Sequence, residues 1–273
     1  MNINFDVVIE SDDYSVSMTE GLETLQGASA LTRHIAETLL TERVPERLAS
    51  KSNVRTKLKK SFRGSFGQMF TLEVYDEHLM KKFRKIGKST FIELMGYFIC
   101  EALYREHEQL SDKANSIIDK MGELEEELVE KLRKSSLENF HSVSAHMGKE
   151  VKLRFRKNAN ENDTITKVDS ASYQTLKPKI DKKKVDIIAG ISRLNIHTGN
   201  GRLLIKGSAE TVAFGFPSSY KEVKHEAKKK FSKNLDFNNG IHVDEWNYLT
   251  LTAHTLKLNN GRTIKYLIEG IYD

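Results

Sequence analysis

Two Glu-x-Lys tripeptides, Glu222-Val223-Lys224 and Glu226-Ala227-Lys228, carry the residue types of a metal-dependent nuclease centre. In such a centre carboxylates hold a divalent cation and the lysine stabilises the attacked phosphate. Here both copies fall on an expected surface helix, with no upstream aspartate motif, where Glu and Lys at helical spacing pair with each other. Gly87-Lys88-Ser89 has the tail of a phosphate-binding loop, but Lys82 stands where that loop needs its first glycine. Ser89 or Thr90 is better used as a helix cap. The nine histidines show no His-Glu-x-x-His spacing; His225, His242 and His254 read as surface or hydrogen-bonded side chains. Cys100 reads as a core thiol. No catalytic residue, metal ligand or cofactor site is assigned.

The basic residues form a more coherent set. Arg55, Lys57 and Lys59 alternate along one expected strand, and Lys152, Arg154 and Arg156 along another. Lys221, Lys224 and Lys228 flank the apolar stripe Tyr220, Val223, Ala227 and Phe231 of an expected helix. Clustered cations of this kind release counterions from a phosphate backbone, which drives nucleic-acid binding. Tyr173, Phe214, Phe216, Trp246, Tyr248 and Tyr266 add rings that can stack bases. These nine cations are therefore the candidate contacts to DNA or RNA.

The elements that must position them follow from periodicity. Ile3, Phe5, Val7 and Ile9 alternate, which predicts a strand over 2–10; Tyr14, Val16 and Met18 predict its hairpin partner. Thr19 then caps a helix bearing Leu22, Leu25, Ala28, Ile35 and Leu39, ended near Pro45. A hairpin turning at Gly64-Ser65 joins strands 54–63 and 67–75, and residues 89–147 read as helical throughout. Strands are expected at 151–156, 165–176, 184–197, 202–207 and 210–216, then a helix from Ser218 or Ser219 to about Ser232. Strands near 241–257 and 262–271, joined by Asn259-Asn260-Gly261, close the chain.

Within the helical stretch Leu110, Ala114, Ile117, Met121, Leu124 and Leu128 are spaced 4, 3, 4, 3, 4, the a/d pattern of a coiled coil or helical hairpin. Leu110, Ile117, Met121, Leu124 and Leu128 are the candidate oligomerisation residues, with an intramolecular helix pair as the competing reading.

The 273 residues allow two domains. The fold class expected is α+β: an N-terminal α+β domain, 1–148, with a long helical segment, and a basic β-rich domain, 149–273, closing as a small OB- or SH3-like barrel. The net charge of +5 divides unevenly at this level: residues 1–150 hold 21 Lys/Arg against 25 Asp/Glu, while 151–273 hold 22 against 13. One cysteine excludes a disulfide framework and fits a reducing, cytoplasmic compartment. The start, Met1 to Asp6, has no basic or apolar leader region, and Phe91–Tyr104 is too short to span a bilayer, so no membrane partner is expected.

The N-terminal succession of strand, Leu/Ala helix and a strand entering Gly64-Ser65-Phe66 and continuing as Thr71-Leu72-Glu73-Val74 resembles an uncharacterised bacterial protein family, some of whose members lie near phage-defence genes. The resemblance covers residues 1–80. It implies a bacterial or phage setting and carries over no site residue. The function expected is a non-enzymatic nucleic-acid-binding or adaptor subunit of a bacterial, antiphage complex. The alternatives are a protein–protein scaffold that self-associates through the helical segment, and a metal-dependent nuclease.

Overall fold

The computed structural model describes residues 2–62, 65–158 and 160–272; the turn expected at Gly64 lies outside them. The chain forms two compact units, residues 1–103 with 107–176, and residues 104–106 with 177–273. In the first, β1 (Asn2–Ile9), β2 (Val54–Phe62), β3 (Phe66–Val74), β4 (Val151–Arg156) and β5 (Asn162–Val168) make one antiparallel sheet in the order β2-β3-β1-β4-β5. Strand alternation decides its two faces. Ile3, Phe5, Val7 and Ile9 stand in register with Leu72 and Phe70 on one side and with Phe155, Leu153 and Val151 on the other. This face closes the core with α1 (Met18–Thr41) and α3 (Lys88–Ala102), and each fully buried side chain such as Phe5 or Phe98 contributes roughly 1.5–3 kcal/mol of apolar transfer.

The expected strand over 14–18 is absent. Asp13 accepts hydrogen bonds from Ser11 Oγ at 2.6 Å and from Ser15 Oγ at 2.6 Å, so the chain turns locally instead. Ser17, not Thr19, occupies the N-cap of α1.

The helical stretch is also not continuous. After α2 (Glu77–Ile86) and α3, the chain breaks before α4 (Asp112–Met121) and again before α5 (Leu124–Lys131). A π turn at Leu132–Ser136 leads to α6 (Leu137–Phe140) and α7 (Ser142–Met147). The decisive break is Gly122, at φ 56° and ψ −124°, a backbone conformation that side chains disfavour. No single helix therefore runs over 110–132, and the residues pack within the chain, as the competing intramolecular reading expected. The heptad residues face their own unit: Leu128 is fully buried, and Leu110, Ile117, Met121 and Leu124 pack partly buried against the same core. The spacing recorded two short amphipathic helices, each with one apolar face.

The expected boundary at 148/149 also moves. β4, β5 and α8 (Ser170–Gln174) belong to the first unit, because β4 completes the open edge of β1. Local periodicity identifies β4 as a strand but carries no information about a partner nearly 150 residues away. With the division at 176, the first part holds 26 Lys/Arg against 28 Asp/Glu and 177–273 holds 17 against 10. The basic excess stays in the C-terminal part but is smaller.

The second unit is a closed five-stranded barrel. Its strands are β6 (Lys179–Leu194), β7 (Gly201–Ile205), β8 (Thr211–Gly215), β9 (Leu249–Lys257) and β10 (Thr263–Tyr272), in the circular order β10-β8-β7-β6-β9. All neighbours are antiparallel except β8 with β10. Between β8 and β9 runs α9 (His225–Asn238), later than the expected 219–232, since Ser219 first caps a short 3-10 turn and Val223 is extended. Phe231 of α9 stacks on Phe214 at 5.6 Å, and Asn234 accepts a hydrogen bond from the Ile191 N–H at 2.8 Å. Among the described residues no helix is long and apolar enough to cross a membrane.

Candidate nucleic-acid interface

The face of the five-stranded sheet opposite the core is polar, and it gathers the six strand cations. Alternation puts Asn4 and Asp6 of β1 on this face, opposite Arg156 and Arg154 of β4. On the other flank β2 contributes Arg55, Lys57 and Lys59, with Arg55 opposite Glu73 and Lys57 opposite Thr71 of β3. Three strand spacings separate β2 from β4, about 14 Å. The two cation rows thus border one strip, floored by β3 and β1.

Carboxylates beneath the cations hold them in place. Asp6 is fully buried and accepts from Arg156 through Nε at 3.0 Å and Nη2 at 2.8 Å, a two-point fork, and from Arg154 Nη2 at 3.3 Å. Glu73 takes Lys57 at 2.8 Å and Lys59 at 3.7 Å, and accepts from the Tyr75 hydroxyl. The Lys57 hydrogen bond, then that of Tyr75, holds the Glu73 carboxyl below its ordinary range, and the same contact with Glu73 raises the Lys57 ammonium. Lys152 is bound by Glu10 and by Glu150 at 3.2 Å, which raises its pKa and lowers that of Glu10. Six cations against four carboxylates leave this face net positive.

Two rings lie among the cations. The guanidinium carbons of Arg154 and Arg156 sit 5.7 and 5.4 Å from the Phe62 ring centroid. Arg55 and Lys57 sit 5.0 and 5.5 Å from that of Tyr75. Phe62 reaches across the strip because Gly67 lies opposite it: a Cβ on Gly67 would meet the Phe62 ring at 2.4 Å. Among the described residues Arg154 Nε is buried without a hydrogen-bond partner. The arrangement presents fixed guanidinium and ammonium groups beside partly exposed aromatic surface.

The family described as Domain of unknown function (DUF7946) matches residues 1–177. The chain belongs to that family. The DUF7946 domain ends where the first compact unit ends, so it includes β4 and β5 and both cation rows, and it extends well beyond the 80 residues that carried the N-terminal resemblance. No curated protein and no solved structure matches the chain.

The remaining sequence-predicted cations lie in the second unit. Lys221 is in the 3-10 turn, Lys224 at the start of α9, and Lys228 with its ammonium 4.7 Å from the Tyr220 ring centroid. Glu222 and Glu226 stand on that same turn and helix, and among the described residues no three His, Cys, Asp or Glu side chains come together as a metal site. Of the six candidate stacking rings, Tyr173 is in α8 of the first unit and Phe214 is fully buried. Sequence reasoning missed Asp6, Glu73, Phe62, Tyr75 and Gly67. Asp6 alone left a trace, as the charged member of the polar alternation Asn2, Asn4, Asp6 in β1.

Proposed function

We propose that the chain is a non-enzymatic nucleic-acid-binding subunit and that its binding surface is the outer face of the DUF7946 sheet. The observation that carries this reading is the pairing of each cation row with a ring: Arg154 and Arg156 over Phe62, Arg55 and Lys57 over Tyr75. Phosphates take the cations, and unpaired bases stack on the rings, at roughly 1–3 kcal/mol per stacked base. A two-row strip of this kind suits a single strand better than a duplex, whose bases are not free to stack.

The barrel supports an OB-type reading through its five strands and the helix between its third and fourth. In that fold the second and third strands serve ligands. Here their outer side is engaged within the unit: Arg202 of β7 donates to the Thr211 carbonyl at 2.7 Å and the Tyr104 carbonyl at 3.3 Å, and Thr211 of β8 donates to Glu106 at 3.1 Å. The sheet face is therefore the better surface for nucleic acid.

The test is fluorescence anisotropy of labelled 20-mer oligodeoxythymidylate and oligouridylate between 50 and 200 mM salt. The reading expects affinity that falls steeply with salt, as counterion release requires, and a loss of about tenfold in Phe62→Ala and in Lys57→Glu with Lys59→Glu. Binding that is absent at 50 mM, or indifferent to salt, overturns it.

A further inference from the structure

The barrel is closed unevenly. β8 and β10 run parallel in register only from Ala213–Lys265 to Gly215–Leu267, whereas β10 continues along β9 as far as Tyr272. β8 stops because Pro217 follows Phe216 and has no N–H with which to extend the ladder. From Ile268 onward one edge of β10 thus has no strand beside it among the described residues.

A cleft of about 490 Å³ lies along that edge, between β10 and the first turns of α9. Its apolar wall is Phe216, Val223, Ala227, Phe231, Ile268 and Ile271. Phe231 and Ile268 are also barrel core, so a side chain entering here would extend the core. A ligand cleft of this size is ordinarily lined this way, with a few polar groups at its mouth.

Ser218 adds a hydroxyl, and the charged groups here are Lys224 and Glu269, which are not equivalent. Glu269 is already neutralised by Lys184 at 2.6 Å, and His254 Nε2 lies 3.0 Å from its other oxygen. Lys224 makes no ion pair among the described residues, and Lys228 and Lys229 stand on the turn that follows it. The positive end of the α9 dipole adds to this sign. The uncompensated charge at the mouth is therefore positive.

We infer that this cleft is a docking site for an extended, acidic partner peptide that adds a strand to the free edge of β10, sets one aliphatic side chain among Phe216, Phe231 and Ile268, and places a carboxylate at Lys224. Main-chain bonds to the edge give affinity, and the pocket and the lysine give selectivity. This goes beyond the nucleic-acid reading and does not depend on it, since the residues are those of the second unit alone.

The experiment selects a displayed library of random decapeptides on the full chain, then measures the enriched peptides, labelled, by anisotropy. The expected consensus is an aliphatic residue with Asp or Glu at alternate positions. Ala227→Trp, which fills the cleft from α9, should abolish binding, and Lys224→Glu should weaken it at least tenfold. Hydrogen exchange of the Ile268–Tyr272 amides should slow when peptide binds. Thermal unfolding of each variant confirms that it folds; should Ala227→Trp fail, Lys224→Glu and the exchange measurement decide. No enrichment, a consensus without acidic residues, or affinity unmoved by Lys224→Glu overturns the proposal. So does protection of the β10 edge that appears with rising protein concentration alone, which would make the cleft a contact between copies.

Discussion

The basic residues of the sheet and those of α9 have the same sign of charge and opposite physical settings. On the sheet each cation row rests on a buried or half-buried carboxylate: Arg154 and Arg156 on Asp6, Lys57 and Lys59 on Glu73. On α9, Lys224, Lys229 and Lys233 have no such partner among the described residues. A paired cation has given up part of its hydration and conformational freedom during folding, so it is oriented before a ligand arrives. An unpaired surface lysine keeps both, and offers charge without geometry. Net charge and fixed geometry therefore rank the two regions differently. The barrel part is the more basic, yet the sheet is where the cations are held in a fixed pattern.

The widest test of that difference is removal of the buried partner. Asp6→Ala leaves two guanidinium groups facing a buried gap, and breaking a buried pair costs about 3–5 kcal/mol. Urea denaturation should show that loss, and reversal of Arg154 and Arg156 to methionine in the Asp6→Ala background should recover part of it. A loss below 1 kcal/mol would mean that Asp6 does not organise the row.

A second test asks whether the same unit tolerates a buried base without a carboxylate. His34 of α1 is buried, bonded through Nδ1 to Ser136 Oγ at 2.8 Å, with Nε2 unpartnered among the described residues, and burial pushes its pKa down to about 4. The unfolded chain takes up a proton near 6.5 and the folded chain only near 4, so this contribution to stability is complete above about pH 6.5 and is lost as pH falls toward 4. It amounts to about 2–3 kcal/mol at pH 4.5. His34→Leu should flatten that part of the pH profile, whatever it does to stability at pH 8. An unchanged slope would place the acid sensitivity elsewhere.

How much of this was legible in the sequence follows from the range of each interaction. The alternation of Arg55, Lys57 and Lys59, and of Lys152, Arg154 and Arg156, reports side-chain direction within a strand, a local property. That both strands join one sheet depends on β3 and β1 lying between them, and pairing across some 150 residues leaves no local mark. For the same reason the boundary at 148/149 fell in the wrong place. At the heptad only continuity was hidden: Leu110 to Leu128 satisfy the helical spacing and pack within the chain, but a single backbone conformation at Gly122 divides them between two helices. Asp6 was legible as an outward polar position of β1, and its use was not, because its partners come from β4.

Glu73 gives a smaller effect, on the rim of the same face. Its carboxyl is held below the ordinary range by Lys57 and Tyr75, so the stability it contributes is present above about pH 4.5 and lost as pH falls through its lowered value. Glu73→Gln should remove that acid-dependent component and cost no more than about 1 kcal/mol at pH 7, by the usual worth of a solvent-screened pair. Its effect on oligonucleotide affinity is the informative readout. Freed from Glu73, Lys57 and Lys59 gain charge for a phosphate and lose their fixed position. Tighter binding with a steeper salt slope means charge count dominates; weaker binding means orientation does.

The smallest effect should come from α9. Lys229→Glu with Lys233→Glu removes no partner and exposes no buried group, so stability should stay within about 0.5 kcal/mol of the parent chain in urea denaturation. Oligonucleotide affinity should fall only by the loss of long-range attraction, and that loss should disappear at 200 mM salt, where the Debye length is shorter than 10 Å. The Phe62→Ala loss should persist at the same salt, because stacking is not screened. If instead the α9 reversals abolish binding at all salt concentrations, the comparison inverts: the unpaired lysines make the direct contacts, and the sheet face serves another partner.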